Sequence, residues 1–184
     1  PWSFSLVGLH EGEGASSARF AFDPLGARKA AIIHRDGPWA QRLASEFARE
    51  FGELGGAVVA QEFFFDLEKE HRQLLRRIHD RKPDLLYMIV EEEEGERICE
   101  LLAERPAPGV TLLAPSRLHS KEFLTSAGST AEGLFTAAFF GPELLNEGAD
   151  EFRERYVRLY GEEPGRLAAA AYDSVHVIAH ALEL

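Results

Sequence analysis

The chain has 184 residues, of which 45% are hydrophobic and 28% charged, the balance of an ordinary globular protein. This length accommodates one domain, or one domain with part of another. A net charge of −11 argues against a nucleic-acid-binding protein, because phosphate contacts need a basic surface. No apolar run approaches the ~20 residues of a membrane span. The single cysteine, Cys99, cannot form an internal disulfide, and its helical context predicts that it packs as a small hydrophobic residue.

The stretch from residue 28 to residue 54 opens a β-α-β unit. Residues 30–34 form an apolar, β-branched run, which predicts a strand buried on both faces. After a polar break, one helical face carries four apolar side chains, namely Leu43, Phe47, Phe51 and Leu54. In such units ligands bind where the strand ends and the helix begins. Trp39 lies in the first turn of this helix, and we expect its ring to lie over that crevice.

The same alternation of strands and helices continues to about residue 140. The apolar runs predict strands over residues 2–7, 30–34, 57–65, 83–90, 110–114 and 134–139. Around the central helix, further helices are predicted over residues 15–25, 67–80, 93–104 and 121–126. Short links between alternating strands and helices indicate an α/β fold with a doubly wound, mostly parallel sheet in three α/β/α layers.

The pattern changes after residue 140. Two helices are predicted over residues 150–160 and 167–182, with no strand between them. Each helix carries an apolar stripe, and such a helix needs a sheet or another helix to cover it. We therefore expect another sheet or helix to cover these two helices.

Taken in order, several stretches resemble the type I periplasmic-binding-protein fold, and within it the branched-chain amino-acid (Leu/Ile/Val-type) binding proteins of ABC transporters. The strand and helix that open the second lobe of this family resemble GARKAAIIHRDGPWAQRLASEF. Its next two strands and their helix resemble ELGGAVVAQEFFF and LLRRIHDRKPDLLYMIV. Its return toward the hinge resembles SAGSTAEGLFTAAFF, followed by the more specific pieces YGEEP and AAYDSVHVI.

This resemblance implies a Rossmann-like lobe of a two-lobed binding protein. Residues 1–140 would form the second lobe, and residues 141–184 would form the hinge return and two helices of the first lobe. The implied function is binding of a small polar solute, an amino acid or a related compound, for ABC-type import. A sensor or receptor domain of the same fold, coupled to signalling, stays open as an alternative.

The resemblance also implies a set of partners and a location. The partners would be the small-molecule solute and, in the full-length protein, the permease of an ABC transporter. No cofactor, metal or nucleic acid is implied. The chain would be periplasmic or extracellular, exported and associated with the membrane. The C-terminal helices could pair two copies of this chain in a homodimer, since their apolar stripes would otherwise be exposed.

Three ligand-binding residues follow from the resemblance, after the first, third and fourth core strands. They are Trp39, Glu91 and Ser116. Trp39 could instead close the edge of the core, and Glu91 could instead be an acidic residue at a helix start. Ser116 stands where amino-acid binders commonly carry an acidic residue for the ligand ammonium, and the neighbouring Arg117 would favour an anionic group. The ligand class is therefore left open.

The sequence shows no catalytic constellation. It contains no H-E-x-x-H motif, no cysteine cluster, no G-x-S-x-G elbow and no G-x-x-x-x-G-K-[ST] loop. His34 lies near a strand end, and we expect it to be a strand-end residue near the hinge rather than a metal ligand. We expect a binding protein rather than an enzyme. Turnover that depends on His34 or Glu91 would reverse this expectation, because fold alone excludes no activity.

Overall fold

A computed structural model describes residues 12–105, 109–140 and 148–183 of the chain. The predicted strand over residues 2–7 lies outside these ranges. The described residues fall into two compact units, one up to residue 137 and one from residue 138 onward.

The first unit is built on a parallel five-stranded sheet. Its strands are β1 (Lys29–Arg35), β2 (Ala57–Phe64), β3 (Leu85–Ile89), β4 (Thr111–Ala114) and β5 (Leu134–Thr136), in the order β2-β1-β3-β4-β5. Its helices are α1 (Glu13–Phe22), α2 (Pro38–Glu53), α3 (Leu67–Asp80), α4 (Glu92–Glu104) and α5 (Lys121–Ala127), with short 3₁₀ turns at Ser116–Leu118 and Gly128–Ala131. All paired strands run parallel. The predicted doubly wound α/β fold is confirmed.

The sheet is covered on both faces because alternate residues of its central strands point to opposite sides. Ala30 and Ile32 of β1 pack in a core with α1 and α2. Ala31 and Ile33 of the same strand pack in a second core with residues of α3, α4 and α5. All four residues are fully buried. This is the physical basis of the three-layer arrangement, and it confirms the predicted burial of both strand faces.

Two predicted elements end three residues away from the observed ends, and the others within the described ranges differ by at most two residues. The first helix spans Glu13–Phe22 rather than residues 15–25, and it ends before Pro24, which cannot donate a backbone hydrogen bond. The last strand, β5, ends at Thr136 rather than at residue 139. Its partner among the described strands, β4, ends at Ala114, which pairs with Thr136, so β4 offers no partner to the later residues.

The amino end of the sheet is held together by Asp84. Its carboxylate accepts hydrogen bonds from the backbone N–H groups of Arg28 and Lys29, at 3.0 and 2.9 Å. Its own backbone N–H donates to the carbonyl of Lys29, and its carbonyl accepts from the N–H of Thr111. One residue thus joins the starts of β1, β3 and β4 at the edge opposite to their carboxyl ends.

Cys99 is buried in the core between the sheet and α4, at 1% exposure, which confirms its predicted packing. Burial raises the pKa of its thiol to about 11, because the low-dielectric surroundings disfavour the thiolate. The residue therefore stays a protonated, hydrophobic part of the core at neutral pH.

The second unit contains α6 (Ala149–Tyr160) and α7 (Arg166–Leu182). Phe152 of α6 is buried, and its ring lies 4.6 Å from that of Tyr172 in α7. Other large apolar side chains of these helices are more than half exposed within the described structure, namely Leu159, Leu167, Val175, Val177, Ile178 and Leu182.

Two glycines of helices α1 and α2 offer a matched test of the α1–α2 packing. A Cβ atom on Gly14 would lie 2.6 Å from the carbonyl oxygen of Leu43 and 2.8 Å from the Cβ of Glu46, so helix α1 would have to move. A Cβ on the exposed Gly52 of α2 would meet nothing within 4 Å. We expect Gly14→Ala to lower the free energy of unfolding by about 1–3 kcal/mol, as overpacking does.

Gly52→Ala should raise the same free energy by up to about 1 kcal/mol, because alanine loses less backbone entropy in a helix than glycine does. Urea denaturation followed by circular dichroism measures both values. Equal effects of the two substitutions would contradict the close contact between α1 and α2.

Candidate functional site

The carboxyl ends of β1, β3 and β4 bring three charged side chains together. Strand β1 ends at Arg35, Glu91 follows β3 by two residues, and Arg117 follows β4 by three. These strands are direct neighbours in the sheet, and the chain order reverses between β1 and β3. Such a switch point leaves a crevice at the carboxyl ends of the strands, where open α/β sheets bind ligands. We call Arg35, Glu91 and Arg117 the charged cluster.

Glu91 is the centre of the charged cluster. It precedes α4, and its backbone N–H donates a hydrogen bond of 2.9 Å to Oε2 of Glu94, which anchors the start of that helix. Its Oε2 accepts a hydrogen bond of 3.0 Å from Nη1 of Arg117. Its Oε1 lies 3.3 Å from Nη1 of Arg35. Each carboxylate oxygen thus already contacts one arginine.

Arg117 is held by an aromatic ring as well as by a carboxylate. Its guanidinium carbon lies 4.6 Å from the centroid of the Trp39 ring, within the range of a cation–π contact. Its Nε is buried and has no hydrogen-bond partner among the described residues. Its side chain is 35% exposed, so the guanidinium is in part accessible. The arginine is therefore fixed in orientation and keeps an unused donor.

Ser116 lies beside the cluster but is itself buried, at 3% exposure. Its backbone N–H donates a hydrogen bond to Oε1 of Glu13, at the start of α1. Its carbonyl accepts from the N–H of His119 within the 3₁₀ turn. These bonds set the direction in which the next residue, Arg117, leaves the strand. A direct contact between Ser116 and a ligand stays a prediction.

Two of the three predicted ligand residues, Trp39 and Glu91, lie together because both contact Arg117, which was not among the three. The sequence singled out Arg117 as a neighbour of Ser116 that would favour an anionic group. Arg35 was assigned only to a polar break. A detectable signal existed, because residues of opposite charge follow apolar runs whose carboxyl ends share one edge of a parallel sheet.

His34 takes no part in the charged cluster's contacts. It is 3% exposed, its Nδ1 lies 2.8 Å from the carbonyl oxygen of Arg35, and its ring stacks on that of Phe63. Within residues 12–105, 109–140 and 148–183, no three histidine, cysteine or acidic residues are grouped to hold a metal ion. Over the same ranges, no helix combines the length and apolar composition needed to cross a membrane.

A cavity of about 290 Å³ lies in the second unit, between α6 and α7. Phe152, Tyr172, Asp173 and His176 contribute to its walls. None of the three ligand residues predicted from the sequence lines it.

Comparison with known proteins assigns the chain to a family. A model described as "Periplasmic binding protein" matches residues 1–184. The chain belongs to this family. The family's description agrees with the expected periplasmic location. It is a family of binding proteins, and the expectation of a binding protein rather than an enzyme is confirmed by the comparisons.

Individual relatives agree with this assignment. The chain is 25% identical over 179 residues to a Leu/Ile/Val-binding protein homolog of Brucella suis, covering 97% of this chain and 47% of that protein. The structure of a leucine-binding protein from Thermotoga maritima superposes with a TM-score of 0.82 at 28% identity, covering 95% of this chain and 50% of that one.

A third relative carries a different ligand. It is a solute-binding protein of an ABC transporter from Rhodopseudomonas palustris, solved in complex with 3,4-dihydroxybenzoic acid. It matches with a TM-score of 0.70 and 25% identity, over 98% of this chain and 49% of its own. The chain thus spans about half the length of each of these three relatives.

The charged cluster should show measurable coupling in the folded protein. In a double-mutant cycle of Glu91→Gln and Arg117→Gln, we expect a coupling free energy of about 1 kcal/mol, because both side chains are about two-thirds buried. The Arg49–Glu53 pair on α2, whose side chains are 58% and 62% exposed, is a matched control with an expected coupling of about 0.3–0.5 kcal/mol.

Urea denaturation of the four proteins in each cycle gives both coupling values. A value for Glu91 and Arg117 no larger than that of the exposed control pair would mean that the cluster is not formed in solution.

Proposed function

We propose that this chain supplies the second lobe of an extracytoplasmic solute-binding protein that serves ABC-type import. The observation that carries the proposal is the charged cluster with Trp39 at the carboxyl edge of a parallel sheet, in a chain of the periplasmic binding protein family. In this proposal, residues 1–140 form the second lobe, and residues 141–184 form the hinge return and two helices of the first lobe. The rest of the first lobe would come from the half of the relatives that this chain does not match.

The proposed solute is a small organic compound, an amino acid or a related acid. Two relatives are named for branched-chain amino acids or leucine, and a third was solved with 3,4-dihydroxybenzoic acid. All of these compounds carry a carboxylate group. Trp39, Glu91 and Ser116 are the proposed contacts of this lobe, each directly or through Arg117.

Hinge closure is the proposed mechanism. A ligand that contacts both lobes stabilises the closed form by its differential affinity for the two states. Because the charged cluster lies within the second lobe, it can bind one end of the solute before the first lobe closes over the other end. The closed protein would then deliver the solute to a membrane permease. Export to the periplasm or the cell exterior, with attachment at the membrane, completes the proposal.

Thermal-shift screening of the full-length protein that contains this chain tests the function. Amino acids, their amides, polyamines and small carboxylates are added one at a time. A solute that binds only the native state raises Tm as its concentration increases. At a concentration one hundred times Kd, it adds about 2.7 kcal/mol to the free energy of unfolding. We expect a saturable rise of Tm for at least one amino acid or carboxylate. A flat response from a folded, monodisperse protein would contradict the proposal.

The exposed stripe of α7 leads to a proposal about the isolated chain. Val175 and Ile178 are 66% and 59% exposed, and both would be covered by the first lobe in the longer protein. When the chain is produced alone, we expect two copies to pair through this stripe, as light scattering after gel filtration would show.

Val175→Lys with Ile178→Lys should shift that pair to a monomer, because two charges cannot be buried without partners. His180→Lys, at an exposed polar position of the same helix, adds a charge outside the stripe and is the matched control. A monomeric starting chain, or a dimer that survives the double substitution, would rule out pairing through α7.

A further inference from the structure

We propose that the charged cluster binds the anionic group of the solute, so that the solute is an organic monocarboxylate and Glu91 does not receive a ligand ammonium. This inference deepens the proposed function and rests on it. It concerns the charge preference of the same site, which the sequence left open between Glu91 and Arg117.

The charge of the cluster is the first argument. Arg35 and Arg117 contribute two positive charges and Glu91 one negative charge, which leaves a net charge of +1. The first turn of α2, where Trp39 lies, contains no acidic residue, whereas the three glutamates at residues 92–94, in the first turn of α4, add negative charge outside the cluster. The N-terminus of a helix adds a further positive partial charge. A single carboxylate balances the cluster, whereas a doubly charged phosphate would leave an excess negative charge in a partly buried site.

The geometry of Glu91 is the second argument. Its two oxygens contact Arg117 at 3.0 Å and Arg35 at 3.3 Å. An ammonium group that took either oxygen would compete with an arginine for it. Arg117 would then lose its charged partner while its Nε is already buried without a hydrogen-bond partner among the described residues. Leaving buried donors unpaired is costly, so the cluster disfavours an ammonium group at Glu91.

The orientation of Arg117 is the third argument. The Trp39 ring on one side and Glu91 at Nη1 restrict the guanidinium to one plane. The contacts within the cluster use Nη1 of each arginine, and the Nη2 group of each guanidinium can donate a charge-assisted hydrogen bond to a carboxylate. Glu91 thus acts as a positioning residue that holds two arginines ready for a second carboxylate.

Five solutes separate the roles of the two charged groups of an amino acid. They are leucine, 4-methylpentanoate (which lacks the ammonium), leucinamide (which lacks the carboxylate), benzoate and benzamide. Affinities for the full-length protein are measured by titration calorimetry, with thermal shift as a second readout. We expect leucine to bind at least tenfold more tightly than leucinamide, and benzoate at least tenfold more tightly than benzamide. We expect 4-methylpentanoate to bind no more weakly than leucine.

Substitutions in the cluster test the inference through the change in ligand affinity that each one causes. Arg117→Gln should weaken carboxylate binding by about 10- to 100-fold, as expected for loss of a charge-assisted hydrogen bond. Glu91→Gln removes the carboxylate that positions both arginines but raises the net charge of the cluster from +1 to +2, and should change the affinities for leucine and for 4-methylpentanoate by the same factor. Arg76→Gln, at an exposed position of α3, is the matched control for loss of one positive charge. Circular dichroism of each variant confirms that it is folded.

The outcomes separate this inference from the proposed function. Two results would show that Glu91 binds an ammonium: leucine binds but 4-methylpentanoate does not, or Glu91→Gln weakens leucine binding more than tenfold beyond its effect on 4-methylpentanoate. Either result would overturn the inference while supporting the function. Equal affinities for carboxylates and amides would likewise overturn only the inference. Failure of all five solutes to bind, together with a flat thermal-shift screen of the folded protein, would contradict both.

Discussion

The pairing of β1 with β3 is the constraint on which the remaining structure depends. Both strands are buried on both faces, and they pair in parallel from Ala30 with Leu85 to His34 with Ile89. Their burial holds α1 and α2 on one side of the sheet and α3, α4 and α5 on the other. Their common direction brings Arg35 and Glu91 to the same edge. A register shift of one residue in either strand would move each of its side chains to the opposite face of the sheet. It would also separate Arg35 from Glu91.

The backbone interactions of Asp84 and the proposed ligand-binding residues lie at opposite edges of the sheet. At the amino edge, Asp84 joins the starts of three strands through backbone hydrogen bonds. At the carboxyl edge, the charged cluster is made by side chains that follow the strands and contribute little to the sheet itself. The cluster can therefore be suited to a ligand without loss of the backbone interactions that define the register.

Sequence patterns predicted the elements whose burial depends on their own residues. The β1 run and the apolar face of α2 are examples. The spacing of the apolar residues along each element is enough to predict which of its faces are buried. The end of β5 was mispredicted, since it depends on the length of the partner strand β4. Arg35 was missed for a similar reason. Its contact with Glu91 depends on strand order, and neither residue carries that information in its local sequence.

The contact between Arg117 and Trp39 has an optical consequence. Trp39 is one of two tryptophans in the chain, and a guanidinium lies over its ring. Indole emission responds to nearby charge, so movement of Arg117 would change the colour and yield of the Trp39 signal. Trp39 is thus a spectroscopic probe beside the charged cluster. Binding of a ligand that moves Arg117 could be followed by fluorescence without attaching a dye.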